Sequence, residues 1–146
     1  MKKKAVEYTI KATKKDFVTE SIKSSVDASN YARKFYSEDI LIYESVFIIL
    51  LNRANNVMGY AKISQGGVCG SVVDNSIIAK FAIDSLAKGV IIVHNHPSGN
   101  LRPSLEDISM STKLKNGLSF LDITLVDSII LNGDGEYFSF KDEGKL

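Results

Sequence analysis

The chain has 146 residues, of which 45% are hydrophobic and 24% charged, with a formal net charge of +1. These are the proportions of an ordinary soluble globular chain, and they exclude a disordered, collagenous or coiled-coil protein. A chain of this length buries roughly two thirds of its unfolded surface, so one domain with an unstapled core suffices.

Eighteen basic against seventeen acidic residues make no strong electrostatic case for a nucleic-acid or membrane partner. The single cysteine, Cys69, excludes an internal disulfide and favours an intracellular chain. Met1-Lys2-Lys3-Lys4 resembles the start of a signal peptide, but no apolar stretch follows it. The longest apolar run, Val46 to Leu51, is far short of the ~20 residues a membrane helix needs. The expectation is a cytoplasmic protein without a membrane partner.

In chain order, Val6–Ile10 predicts a short strand and Lys11–Ser25 an irregular stretch. Tyr31, Ala32, Phe35 and Tyr36 recur at helical spacing, with Ser25 or Asp27 as the N-cap. Glu44–Leu51, β-branched, aromatic and short, predicts a central strand buried on both faces. Asn52–Asn56 is turn chemistry, and Val57–Ile63 is the returning hairpin strand. After the loop Gly66–Gly70, Asp74 caps a helix with Ile77, Ile78, Phe81, Ala82 and Leu86 on one apolar face, ending before Gly89. Val90–Val93 is another buried strand and runs directly into His94. Ser104–Lys115 predicts a helix closed by Gly117, Leu121–Leu131 one or two strands, Asn132–Gly135 a turn, and Tyr137–Phe140 a final strand. No repeat, low-complexity tract or interdomain linker interrupts this alternation, so the class is mixed α/β or α+β.

Both histidines and both prolines fall between His94 and Pro103. At a strand's end, residues two apart face the same side, so His94 and His96 can share one ion. Pro97 keeps His96 extended, and Pro97–Asn100 turns the chain. Asp107, in the first turn of the next helix, can reach back over the strand's end. Two imidazoles and a carboxylate suit Zn²⁺ and leave a fourth tetrahedral position for water, as in catalytic zinc sites. A plainer reading stands beside this one. A histidine pair on a strand commonly serves packing or hydrogen bonding, and Ser104-Leu105-Glu106-Asp107 is also an acceptable capping box.

The spacing His94-Asn95-His96-Pro97, seven residues, Ser104, two residues and Asp107 resembles the signature of JAMM (MPN+, JAB-type) zinc metallopeptidases at every fixed position. The string His-Asn-His-Pro-Ser-Gly resembles the bacterial RadC family more specifically. The resemblance spans about residues 40–146, with Leu51-Asn52 and the 135–140 stretch Gly-Glu-Tyr-Phe-Ser-Phe in keeping. It implies a single-domain JAMM/MPN-like, cytidine-deaminase-like mixed sheet flanked by helices. Residues 40–146 would form that domain, and residues 1–39 an N-terminal extension of a short strand and a helix packed on it.

The resemblance further implies one Zn²⁺ per chain on His94, His96 and Asp107, with no other cofactor. Glu44 would be general base and then acid, and Ser104 a hydrogen-bond donor to the oxyanion. Without that resemblance, Glu44 is a solvated charge at a strand start and Ser104 a helix cap. Asn75-Ser76-Ile77 stands where RadC-like chains often carry Pro-Arg-Glu. The first forty residues are too short for the helical DNA-binding module of full-length relatives.

Cys69, in a glycine-rich loop, has no spare histidine as base; it is a small side chain or a blocking fourth ligand. Gly66–Ser71 lacks the lysine of a phosphate-binding loop. Lys2–Lys4 and Lys14-Lys15 read as solvated charge, and Tyr31, Phe35 and Tyr36 as a helix's core face.

The expected function is zinc-dependent hydrolysis of a peptide or isopeptide bond in a protein or peptide substrate. The alternatives are a DNA-repair-associated role, acting on or recruited to DNA, and a non-catalytic scaffold. The complete ligand set speaks against the scaffold.

Overall fold

The computed structural model describes residues 1–66 and 73–146. Its regular elements are α1 (Ser25–Arg33), β1 (Ser45–Leu51), β2 (Val57–Gln65), α2 (Asn75–Asp84), β3 (Gly89–Asn95), α3 (Leu105–Ser119), β4 (Thr124–Leu131) and β5 (Tyr137–Ser139). A short 3-10 turn, Glu38–Leu41, precedes β1. The class is mixed α/β, with one five-stranded sheet in the order β2-β1-β3-β4-β5. β1 is antiparallel to both β2 and β3, β3 is parallel to β4, and β4 is antiparallel to β5. A parallel pair needs a crossover, and α3 supplies it between β3 and β4.

The central strands are apolar on both faces because helices cover both. On one face Val46, Ile48, Leu50, Val90 and Ile92 pack with Ile78 and Ala82 of α2 and Leu114 and Leu118 of α3. On the other, Ile49, Leu51, Ile91, Val93, Ile129 and Leu131 pack with Ala28, Tyr31 and Ala32 of α1. The period-2 alternation of β1 and β3 divides the two sets. Phe35 stacks on Tyr60 at 4.4 Å between centroids, and Phe17 meets Tyr60 edge-on at 4.9 Å.

Several sequence expectations are corrected. Val6–Ile10 forms no strand: Val6, Tyr8 and Ile10 are exposed, with no sheet pairing. The N-cap of α1 is neither Ser25 nor Asp27 but Ser24, in a capping box in which Asp27 takes the third helical position. The buried face of α2 is narrower than its sequence suggests, with Ile78 and Ala82 inside and Ile77, Phe81 and Leu86 exposed. Gly117 does not close α3. The helix runs on to bury Leu118, and Asp122 takes the left-handed position (φ 55°) where the Ile123 amide donates to the Leu118 carbonyl at 3.0 Å. Leu121–Leu131 gives a single strand, and β5 stops at Ser139. The expected turns at 52–56 and 132–135, the strand β3 and the Asp74 cap all form. Most of the glycine-rich loop, with Cys69, lies outside the described residues.

Among the described residues, no helix is long and apolar enough to cross a membrane.

Candidate metal centre

The C-terminal end of β3 carries the site. His94 pairs with Val46 of β1 and Ile130 of β4, and the His96 amide still donates to the Leu131 carbonyl at 2.9 Å. The strand direction is thereby kept one residue past β3, and both imidazoles emerge on the side covered by α2 and α3. The Pro97-Ser98 turn closes through the Gly99 amide on the His96 carbonyl at 3.0 Å. Gly99 sits at φ 87°, a conformation glycine adopts without steric cost. Asn132, buried at the end of β4, donates to the Gly99 carbonyl at 3.1 Å and anchors this turn.

The chain then enters α3 at Ser104. The Asp107 amide donates to Ser104 Oγ at 3.0 Å, and the Ser104 amide donates to Asp107 Oδ2 at 2.8 Å, a complete capping box. The same carboxylate faces the histidines. Asp107 Oδ1 lies 3.3 Å from His94 Nε2, Asp107 Oδ2 lies 3.2 Å from His96 Nε2, and the two Nε2 atoms are 3.2 Å apart. Glu44, immediately before β1, brings Oε1 to 3.9 Å from His94 Nε2. One ligand atom from each of Glu44, His94, His96 and Asp107 lies within 4.8 Å of all the others.

His96 Nδ1 lies 2.6 Å from the Asn100 carbonyl, an acceptor only. Nδ1 therefore carries a proton, while Nε2 faces the cluster, donating to Asp107 when the ring is charged and offering its lone pair when the ring is neutral. His94 Nδ1 is buried without a hydrogen-bond partner among the described residues, while its Nε2 points inward. The Asp107 hydrogen bond raises His96 above the ordinary imidazole value, against the lowering effect of burial, with the Asn100 carbonyl adding to the rise. Burial by itself would raise the Asp107 carboxyl. Hydrogen bonds from His94 and His96 outweigh it and hold Asp107 well below the usual carboxylate range. Two imidazole nitrogens and a carboxylate converging on one point are a donor set that fits a divalent cation. His94 is 2% exposed, whereas His96, Asp107 and Glu44 are 17%, 14% and 21% exposed, so the cluster opens to solvent on the glutamate side.

All five residues singled out in the sequence thus stand at one end of the sheet. Four face one another directly. Ser104 adjoins through Asp107, and its hydroxyl accepts the Asp107 amide, which leaves the O–H free to donate. Asn75-Ser76-Ile77 forms the start of α2, with Ser76 donating to the Asp74 cap through both amide and hydroxyl at 2.9 and 2.6 Å. Sequence reasoning passed over Asn95 and Tyr36. Asn95 accepts the Ser45 amide at 2.8 Å, and the Tyr36 hydroxyl donates to the Ser45 carbonyl at 2.7 Å. A polar residue at the end of an apolar strand was the available signal for Asn95; Tyr36 was read with Phe35 as part of a helix's core face, but α1 ends at Arg33 and both residues lie beyond it.

A family model described as the RadC-like JAB domain matches residues 22–145. The chain is 37% identical over 123 residues to a UPF0758 protein of Flavobacterium johnsoniae, covering 84% of this chain and 52% of the relative. It is 37% identical over 128 residues to a UPF0758 protein of Thermotoga maritima, covering 87% and 57%. With a UPF0758 protein of Methanococcoides burtonii the identity is 33% over 137 residues, covering 92% and 59%. The chain spans about half the length of the curated relatives it matches. With the histidine pair, the aspartate and the upstream glutamate gathered at the end of β3, and the family match running over most of the molecule, the chain belongs to the RadC-like JAB domain family.

Proposed function

We propose that this domain is a zinc-dependent hydrolase of amide bonds, acting on a peptide or isopeptide linkage. The observation that carries the reading is the convergence of Glu44, His94, His96 and Asp107. The spacing of the inner three supports zinc in particular. A tetrahedral ion with ligand bonds of about 2.0–2.1 Å needs ligand atoms about 3.3 Å apart. The separations here are 3.2, 3.2 and 3.3 Å.

In this reading His94 and His96 through Nε2, and Asp107 through its carboxylate, would hold one Zn²⁺. Bound zinc lowers the pKa of water to about 7 and polarises a carbonyl oxygen. Glu44, on the solvent side of the cluster, takes the proton of the attacking water and returns it to the leaving nitrogen. Ser104 keeps its hydroxyl oxygen on the Asp107 amide and donates its O–H to the oxygen that gains charge. Asp107 serves the fold and the ion with one side chain, since the bond that caps α3 also fixes the carboxylate's direction.

The test begins with metal content in protein purified without added metal. Close to one zinc per chain, lost in both His96→Ala and Asp107→Ala, supports the reading. Chelator-sensitive cleavage of peptide or isopeptide substrates should disappear in Glu44→Gln while zinc remains. A wild-type chain that takes up no zinc even when it is supplied would sink the proposal.

A second reading, recruitment to nucleic acid, rests on a different region. Arg53, Lys88, Lys115 and Lys141 line a cavity of about 860 Å³ near the N-terminal end of β3, where Asp122 is the single acidic side chain among the described residues. Backbone phosphates suit such a cluster, and the binding would weaken steeply with salt. The hydrolase reading predicts no such salt dependence.

A further inference from the structure

The residue between the two histidines points away from them. By strand alternation Asn95 lies on the α1 face of the sheet, and it is fully buried. Its amide makes three hydrogen bonds of equal length. Oδ1 accepts the Ser45 amide at 2.8 Å, and Nδ2 donates to the carbonyls of Tyr43 and Ile40, each at 2.8 Å. Both N–H groups are therefore in use.

Two of these partners are the backbone groups immediately before and after Glu44. The β1–β3 ladder ends at the Val46–His94 pair, and at the next row the Asn95 side chain takes over from the backbone. The half-buried Tyr36 also donates its hydroxyl to the Ser45 carbonyl at 2.7 Å. With both flanking peptide groups tied down, the Cα–Cβ direction of Glu44 is set by the same strand that carries the histidines. The glutamate stands fifty positions from His94 in sequence. Its own carbonyl accepts the Gly66 amide at 2.8 Å and the Tyr43 amide donates to the Asp39 carbonyl at 3.0 Å, but Asn95 is the side chain that joins the two peptide groups flanking it to β3.

We propose that Asn95 is a positioning residue for Glu44, coupling the proton-transfer group to the metal-binding strand through the backbone on either side of it. This inference rests on the hydrolase reading above. A displacement of about 1 Å in a reacting group can cost on the order of 10²-fold in rate. A side chain that sets this register then contributes to the chemistry through the carboxylate's position, although it touches no reacting atom.

The experiment loads the full chain with Co²⁺ in place of zinc and records visible absorption for wild type, Glu44→Gln, Asn95→Ala and the double variant. Each should take up one ion, because His94, His96 and Asp107 are retained. Glu44→Gln should change the spectrum, since the carboxylate no longer orients water in the site. Asn95→Ala should change it in the same direction, and the double variant should add nothing to Glu44→Gln. A lowered melting temperature in Asn95→Ala with the wild-type spectrum would show a purely structural role and overturn the inference. Additive changes in the double variant would also overturn it. If Asn95→Ala does not fold, Asn95→Asp takes its place; it keeps the acceptor for Ser45 and the side-chain volume but lacks both N–H donors. A wild-type chain that takes up no cobalt overturns the hydrolase reading, and the inference falls with it for that separate reason.

Discussion

Two helices of this molecule begin with the same four-residue grammar. At α1, Ser24 Oγ accepts the Asp27 amide at 3.3 Å, and Asp27 Oδ2 accepts the Ser24 amide at 3.1 Å. At α3, Ser104 and Asp107 make the same reciprocal pair. Locally the two are one motif. They differ in what stands opposite: among the described residues the Asp27 carboxylate turns back only to the Lys23 and Ser24 amides, whereas Asp107 meets two imidazoles at the end of β3. A capping box therefore states where a helix starts and leaves open whether its carboxylate has a second task. The strand end supplies that task.

The contrast can be broken first at the aspartates. Zinc at a hundredfold excess over its Kd stabilises the folded state by ~2.7 kcal/mol, which corresponds to a rise in melting temperature of about 5–10 °C for a chain of this size. Asp107→Ala should abolish that rise, and Asp27→Ala should leave it intact. Equal zinc responses in the two variants would mean that Asp107 is a cap and nothing more.

The serines come next. Ser24→Ala and Ser104→Ala should each cost about 1 kcal/mol in denaturant unfolding, the usual loss for a cap. Both should retain the metal. Ser104→Ala alone should slow hydrolysis, on the order of 10²-fold, as expected for a lost oxyanion donor. Matching activities in the two would remove Ser104 from the chemistry.

The smallest effect sharpens the comparison with a third aspartate. Asp127 is buried in β4 and accepts the Ser128 and Lys141 amides and the Ser139 hydroxyl at 2.7, 3.0 and 2.6 Å. Burial pushes its carboxyl up, with these three hydrogen bonds opposing the rise only in part. A raised folded-state value means that its contribution is complete below the ordinary carboxylate pKa and is lost as pH rises through the folded value. Asp107, held low, behaves oppositely: its contribution is present above the ordinary value and is lost on acidification. In metal-free protein, the stability of Asp127→Asn relative to wild type should therefore improve as pH rises from the carboxylate range towards neutrality. A difference that does not move with pH would place Asp127 at an ordinary value.

These differences explain how far the sequence could be read. β1 and β3 were legible because strands covered on both faces are unbroken apolar runs, and the Asp74 cap because its chemistry is local. The cluster of histidines and prolines exposed the site, since rare residues concentrated in ten positions are seldom accidental. The cap of α1 was misplaced by one residue because Ser24, Ser25 and Asp27 all satisfy the local preference, and only the bonds choose. Gly117 misled for a related reason: burial of Leu118 outweighs the helix-ending tendency of glycine. Asn95 escaped notice because its partners are backbone groups fifty positions away, and backbone leaves no mark on a sequence pattern.

The place of β3 between β1 and β4 also separates the cluster into a part that is near in sequence and a part that is far. His94, His96 and Asp107 lie within fourteen consecutive residues, and the turn between them is short. Glu44 reaches them only after β1 has found its place across a separation of fifty. Closing the longer loop costs an unfolded chain roughly 1 kcal/mol more entropy than closing the eleven-residue one between His96 and Asp107. During folding, the two histidines and Asp107 can gather before Glu44 arrives, so a partly folded chain holds three members of the cluster without the fourth. Completion of the four-residue cluster is thus tied to the long-range docking of β1 against β3, and any destabilisation of that pairing loosens the glutamate before it loosens the other three.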